Sequence, residues 1–144
     1  MSTHALPQNS GNSLGRTADL IMLVTLAAFS AAALAIGQYY GSLGLATGVS
    51  LALLALGGFT YASAAGTLAS RLVLALAVSS SVALHIHLGR GTLEFHFGVF
   101  VTLALLLVYR DWRPIVATAA FFAVHHVAFD RMQAAGMGVY CTPE

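Results

Sequence analysis

"ADLIMLVTLAAFSAAALAIG", residues 18–37, is the stretch on which the fold turns. It is apolar over close to the ~20 residues that a helix needs to cross the ~30 Å hydrocarbon core of a bilayer. It is longer than the apolar region of a secretory signal, and the polar segment before it carries a single arginine, Arg16. It therefore reads as a retained first membrane helix.

The rest of the chain repeats the theme. Hydrophobic residues make up 58% and charged residues 8% of the 144, against roughly 25% charged in soluble domains. All six basic residues are arginine. The fold class expected is all-α, a polytopic integral membrane bundle in a lipid bilayer. A net charge of +1 points to no nucleic-acid partner, and one cysteine, Cys141, leaves no internal disulfide.

Five spans are expected: Arg16 to Gln38, Leu43 to Ser63, Leu68 to Leu88, Thr92 to Tyr109 and Pro114 to Gln133. Between and after them lie "QYYGSLG", "ASAAGT", "GRG", "YRDWRP" and "AAGMG", rich in turn and interface residues. Pro114 suits the first turn of the last helix, where its missing N–H costs nothing. Tyr39, Tyr40, Tyr109 and Trp112 would form an aromatic belt. Residues 1–15 are expected to be a disordered cytoplasmic tail, 16–136 the transmembrane domain, and 137–144 a periplasmic segment. Arg16, Arg71, Arg110 and Arg113 fall on one side, Arg90 and Arg131 on the other, which favours a cytoplasmic N-terminus.

Chemistry is confined to two places. "HIHLGRGTLEFH", residues 85–96, holds His85, His87, Glu94 and His96, and "AVHHVAFDR", residues 123–131, adds His125 and His126. In the expected topology these six side chains, from helices three to five, lie on the order of 5–12 Å below the outer helix ends. Imidazole and carboxylate are ligand types that suit zinc, copper and iron, and a glutamate at membrane depth needs a cation or donor partner. A metal ion meets both needs.

Helical geometry limits the set. His85 and His87 are about 200° apart around a helix, as are Glu94 and His96, so neither pair chelates from a regular helix. Gly89 and Gly91 could loosen the turn between them; otherwise the second member serves another site or orients a ligand. His126 shares a face with Ala119 and Ala123, a small-residue stripe expected to face the bundle, while His125 lies beside Phe121, Phe122 and Phe129. His96 and His126 rank first as ligands. Arg90 and Arg131 are interface anchors, or partners for the propionates of a haem. Gly41, Gly44 and Gly48 allow close helix packing, and the first two helices read as scaffold. His4 is assigned no function.

The His-x-His at 85–87, "EFHFGVF" at 94–100, "YRDWRP" at 109–114, the histidine pair at 125–126 and "QAAGMGVY" at 133–140 together carry a resemblance. Residues 76–140 resemble the N-terminal membrane region of some bacterial methyl-accepting chemotaxis proteins and of related receptors with diguanylate cyclase outputs. The resemblance implies a sensory input domain in the bacterial inner membrane, not an enzyme. It further implies a homo-oligomer, and since the family continues into another helix and a cytoplasmic signalling domain, the expectation is a chain truncated before them, with a free-standing relative as the alternative. The leading expectation is a membrane-embedded metal sensor, with copper favoured and iron, including a dinuclear site, or zinc as alternatives. Haem b between two histidines is the second binding mode. A small redox metalloenzyme follows, and a metal or proton conduit ranks last, since little but Ser79, Ser80, Ser81, Thr102 and Thr118 is polar below the cluster.

Overall fold

A computed structural model describes residues 9–143, with side-chain surroundings from Ser13 onward. Its regular structure is entirely helical: α1 (Asn9–Tyr39), α2 (Leu43–Ala64), α3 (Leu68–Leu88), α4 (Leu93–Leu105), continued by a 3₁₀ turn (Leu106–Tyr109), and α5 (Trp112–Ala134). Three helices, Ser13–Tyr39, Leu43–Ala64 and Leu68–Leu88, are long and apolar enough to cross a membrane. Leu93–Tyr109 forms a shorter apolar helix. His4, the rest of the expected tail before Asn9, and Glu144 lie outside the described residues.

α3 is the axis of the bundle. In its most apolar window 61% of residues are buried, against 28% in α1 and 22% in α2, so the others wrap around it. Met22 and Leu26 of α1 meet Leu74 and Val78 of α3, with Leu106 and Tyr109 closing that end. Val82 and Ile86 pack on Phe122 of α5, and Leu84 and Leu88 on Ala33 and Ala46. The outer faces are equally apolar: Phe59 is 72% exposed, Phe97 68% and Val124 70%. Such a surface suits a lipid surround; in water it would drive association.

Two helix starts differ from the sequence reading by more than one residue. α1 begins at Asn9, not Arg16. Its early turns have a packing partner, because Gly15 lies so near the α2–α3 turn that an added Cβ would be 3.1 Å from Gly66 Cα. α5 begins at Trp112, because the Asp111 carboxylate accepts the Arg113 N–H at 3.0 Å and caps it. The expected small-residue stripe on α5 is also corrected. Pro114, Thr118, Phe122 and His125 are buried, whereas Ala119 and Ala123 are exposed. Phe122 fills the space beside Val82 and Ile86, and Thr118 meets Ser79 at 3.1 Å. Bulk and a hydrogen bond set the face, and His126 is left at its edge.

One end of the bundle is tied by buried polar groups. Asp19 Oδ2 accepts the Gly66 N–H at 2.7 Å and the Ser70 hydroxyl at 2.6 Å. The Tyr109 hydroxyl lies against the same carboxylate without a bond of ordinary geometry. Arg71 reaches Asp111 at 3.4 Å. α1, α3, α4 and α5 all meet at this knot. The histidines lie at the opposite end.

Candidate metal centre

His96 stands in the first turns of α4 and His126 in the C-terminal half of α5, their ring centroids 5.4 Å apart. His96 Nδ1 is 3.1 Å from the Thr92 carbonyl, and His126 Nδ1 is 2.8 Å from that of Phe122. A carbonyl can only accept, so in each neutral ring the proton sits on Nδ1 and Nε2 keeps its lone pair. Such backbone bonds commonly fix the tautomer and orientation of metal-binding histidines.

A third donor joins them from outside the helices. The donor atoms of His96, His126 and Cys141 all lie within 4.8 Å of one another. Three groups converge with few protons among them, an arrangement that a cation relieves. Two imidazoles and a thiolate suit copper and zinc, and iron less well. Cys141 is buried, and burial together with the Asp130 carboxylate pushes its thiol pKa up. A bound cation reverses that preference, since a coordinating thiol is deprotonated.

Cys141 is placed by three contacts of the segment after α5. Gln133 Oε1 accepts the N–H groups of Cys141 at 2.8 Å and Thr142 at 3.1 Å, and its amide donates to the Thr142 carbonyl at 2.9 Å. The Tyr140 N–H donates to His87 Nδ1 at 3.2 Å. Gly91, at φ +73°, lets the Thr142 backbone approach so closely that a Cβ there would overlap it. The "GRG" turn does not unwind to bring its flanking histidines together. It makes room for the segment that carries the cysteine.

The six expected ligands therefore separate. His96 and His126 come together. His87 is committed through Nδ1 to Tyr140 and so holds the Cys141 segment. His125 is 8% exposed, lies between Phe129 and Phe121 at centroid distances of 4.2 and 6.2 Å, and has no hydrogen-bond partner on either ring nitrogen. It adjoins His126, at 5.5 Å between centroids. His85 turns the other way and donates from Nε2 to the Phe29 carbonyl of α1 at 2.8 Å. Glu94 is exposed and shares a separate cavity with His85, Phe29 and Phe95. Neither belongs to the His96–His126–Cys141 group.

Sequence reasoning missed Cys141 and Asp19. A lone cysteine downstream of a histidine cluster was a legible signal, had it been weighed as a ligand as well as for disulfides. Asp19, a carboxylate inside the first apolar run, was another, because intramembrane charges are rarely idle. Comparison with family models, with curated proteins and with solved structures found no match for this chain.

Proposed function

We propose that the chain is a membrane-embedded sensory input module that binds one transition metal ion through His96, His126 and Cys141. The observation that carries the reading is the convergence of those three donors within 4.8 Å. The resemblance of residues 76–140 to chemoreceptor membrane regions supplies the class: a multi-pass inner-membrane domain, N-terminus cytoplasmic, passing its state to a cytoplasmic output in a homo-oligomer. Five crossings with the site near the periplasmic face accord with the grouping of Arg71 and Asp111 at one end and the histidines at the other.

Metal binding would tie α4, α5 and the segment after α5 to one point. His87 and Gln133 link that segment to α3 and α5, so occupancy would alter the packing of the central helix. A thiolate with two imidazoles and no carboxylate favours copper, with zinc next. A bare ion also suits the spacing better than haem b. A porphyrin would have to pass between rings 5.4 Å apart, with Cys141 against both.

The test is elemental analysis and an absorption spectrum of the detergent-purified chain. One metal per chain, no Soret band, and loss of the metal in His96→Ala and His126→Ala are expected. Full occupancy in both variants, or a strong Soret band at one haem per chain, would overturn the reading.

A further inference from the structure

The three donors do not close the site. A cavity of about 280 Å³ opens beside it, walled by His126, Val127, Asp130, Cys141 and Thr142. Two of the three donor residues thus form part of its wall. Three protein donors are one fewer than zinc or cobalt(II) takes in a closed tetrahedral site, and an open fourth position is the mark of metals that meet exogenous ligands.

The cavity has a charge of its own. Asp130 is one turn beyond His126 on α5, on the same face, and shares the cavity wall with Cys141. With the Cys141 thiolate, it places two negative charges around a divalent ion. An anion entering the fourth position would be repelled by the Asp130 carboxylate; a neutral donor would not.

Resting on the metal reading above, we propose that the bound ion keeps one coordination position open to this cavity, where a small neutral donor ligand from the aqueous phase binds beside Asp130. Occupancy of that position, beyond the presence of metal, is then what the module senses. Asp130 acts there as a selectivity residue.

Cobalt(II) loaded into the purified full chain gives a thiolate-to-cobalt charge-transfer band and ligand-field bands that report coordination. Imidazole, as the neutral probe, should shift the ligand-field bands saturably while the charge-transfer band persists. Azide, as the anionic probe, should bind more tightly by about fivefold in Asp130→Asn, with imidazole affinity unchanged. Asp130 is exposed, so this variant leaves the packing of the helices intact. Ligand-field bands unmoved by saturating imidazole and azide would mean a closed site and overturn the proposal. Azide affinity equal in the two proteins would remove Asp130 from it. Failure of cobalt to bind at all, or binding without the thiolate band, would instead overturn the metal reading on which it rests.

Discussion

The two ends of this bundle solve the problem of buried polar groups in different ways. At the Asp19 end, charge meets charge or donor: Asp19 accepts from Gly66 and Ser70, and Arg71 pairs with Asp111, itself the cap of α5. At the His96 end, three donor atoms converge, and the imidazole protons are turned away toward backbone carbonyls. The first network ties helices together, although Asp19 Oδ1, Arg71 Nε and the Tyr109 hydroxyl have no hydrogen bond in it. On the proposed reading, the ring lone pairs at the second end are free for a cation. Burial of polar groups alone therefore does not mark a candidate site; the types of group that converge do.

The largest expected effects would break this contrast if they crossed over. His96→Ala and His126→Ala should lower metal affinity by at least ~100-fold, one ligand's share of a typical structural site, with the metal-free thermal transition little changed. Asp19→Ala should do the reverse. It strands the Gly66 N–H and leaves Ser70 only the Thr67 carbonyl as acceptor, at a cost of about 1–3 kcal/mol, and should leave metal stoichiometry intact. Equilibrium dialysis and thermal melts in detergent on the same three variants decide the matter.

A second tier tests whether Cys141 is held in place as described. Gly91→Ala puts a Cβ into the Thr142 backbone at a positive φ, and His87→Ala removes the acceptor for Tyr140. Each should weaken metal binding by roughly 10–100-fold, as loss of a ligand's support does. The thiolate-to-metal band should be reduced more than total metal. Retention of the full band in both would mean that Cys141 is positioned by other contacts.

The pH dependence has a definite sign. The Cys141 thiol is raised by burial and by Asp130, so the neutral thiol is the form that the metal-free fold favours. Its contribution to stability is present below the ordinary thiol pKa and is lost as pH rises through the raised one. Metal binding needs the thiolate, so affinity should climb with pH across the range where the free thiol is still protonated. Alkylation of metal-free Cys141 should likewise be slower than that of an ordinary thiol at mildly alkaline pH, and faster in Asp130→Asn. An unchanged alkylation rate in that variant would separate Asp130 from Cys141.

The smallest effects belong to the scaffold. Gly44 and Gly48 have open space where a Cβ would stand, so neither serves the close helix approach that their spacing suggested. Alanine at either should leave metal binding unchanged and raise the melting temperature slightly, through a helix-propensity gain of up to ~1 kcal/mol. A large loss would reveal a contact that only another copy of the chain could supply.

The helical architecture was legible because it rests on one-dimensional properties. Long apolar runs bounded by glycine and by Trp, Tyr and Arg specify helices wherever the backbone must satisfy itself. Turn residues at "GRG" and "YRDWRP" then set where α4 and α5 begin. The site was legible only in part. His96 and His126 could be ranked first, although the small-residue stripe invoked for His126 proved to be exposed. Their pairing depends on how α4 and α5 sit against α3, and side-chain bulk at Phe122 governs that.

The sequence by itself determined the composition of the candidate set and its gathering into two short stretches, since covalent order places His85 to His96 beside one turn and His125 next to His126. Only the tertiary structure decided which of them meet. The segment after α5 folds back over Gly91 and brings in Cys141, His85 turns to Phe29 of α1, and Glu94 stays outside the group. The physical reason is that ligation needs lone pairs converging within a few ångströms. That property belongs to helix rotation and chain return, and no periodicity along the chain encodes it.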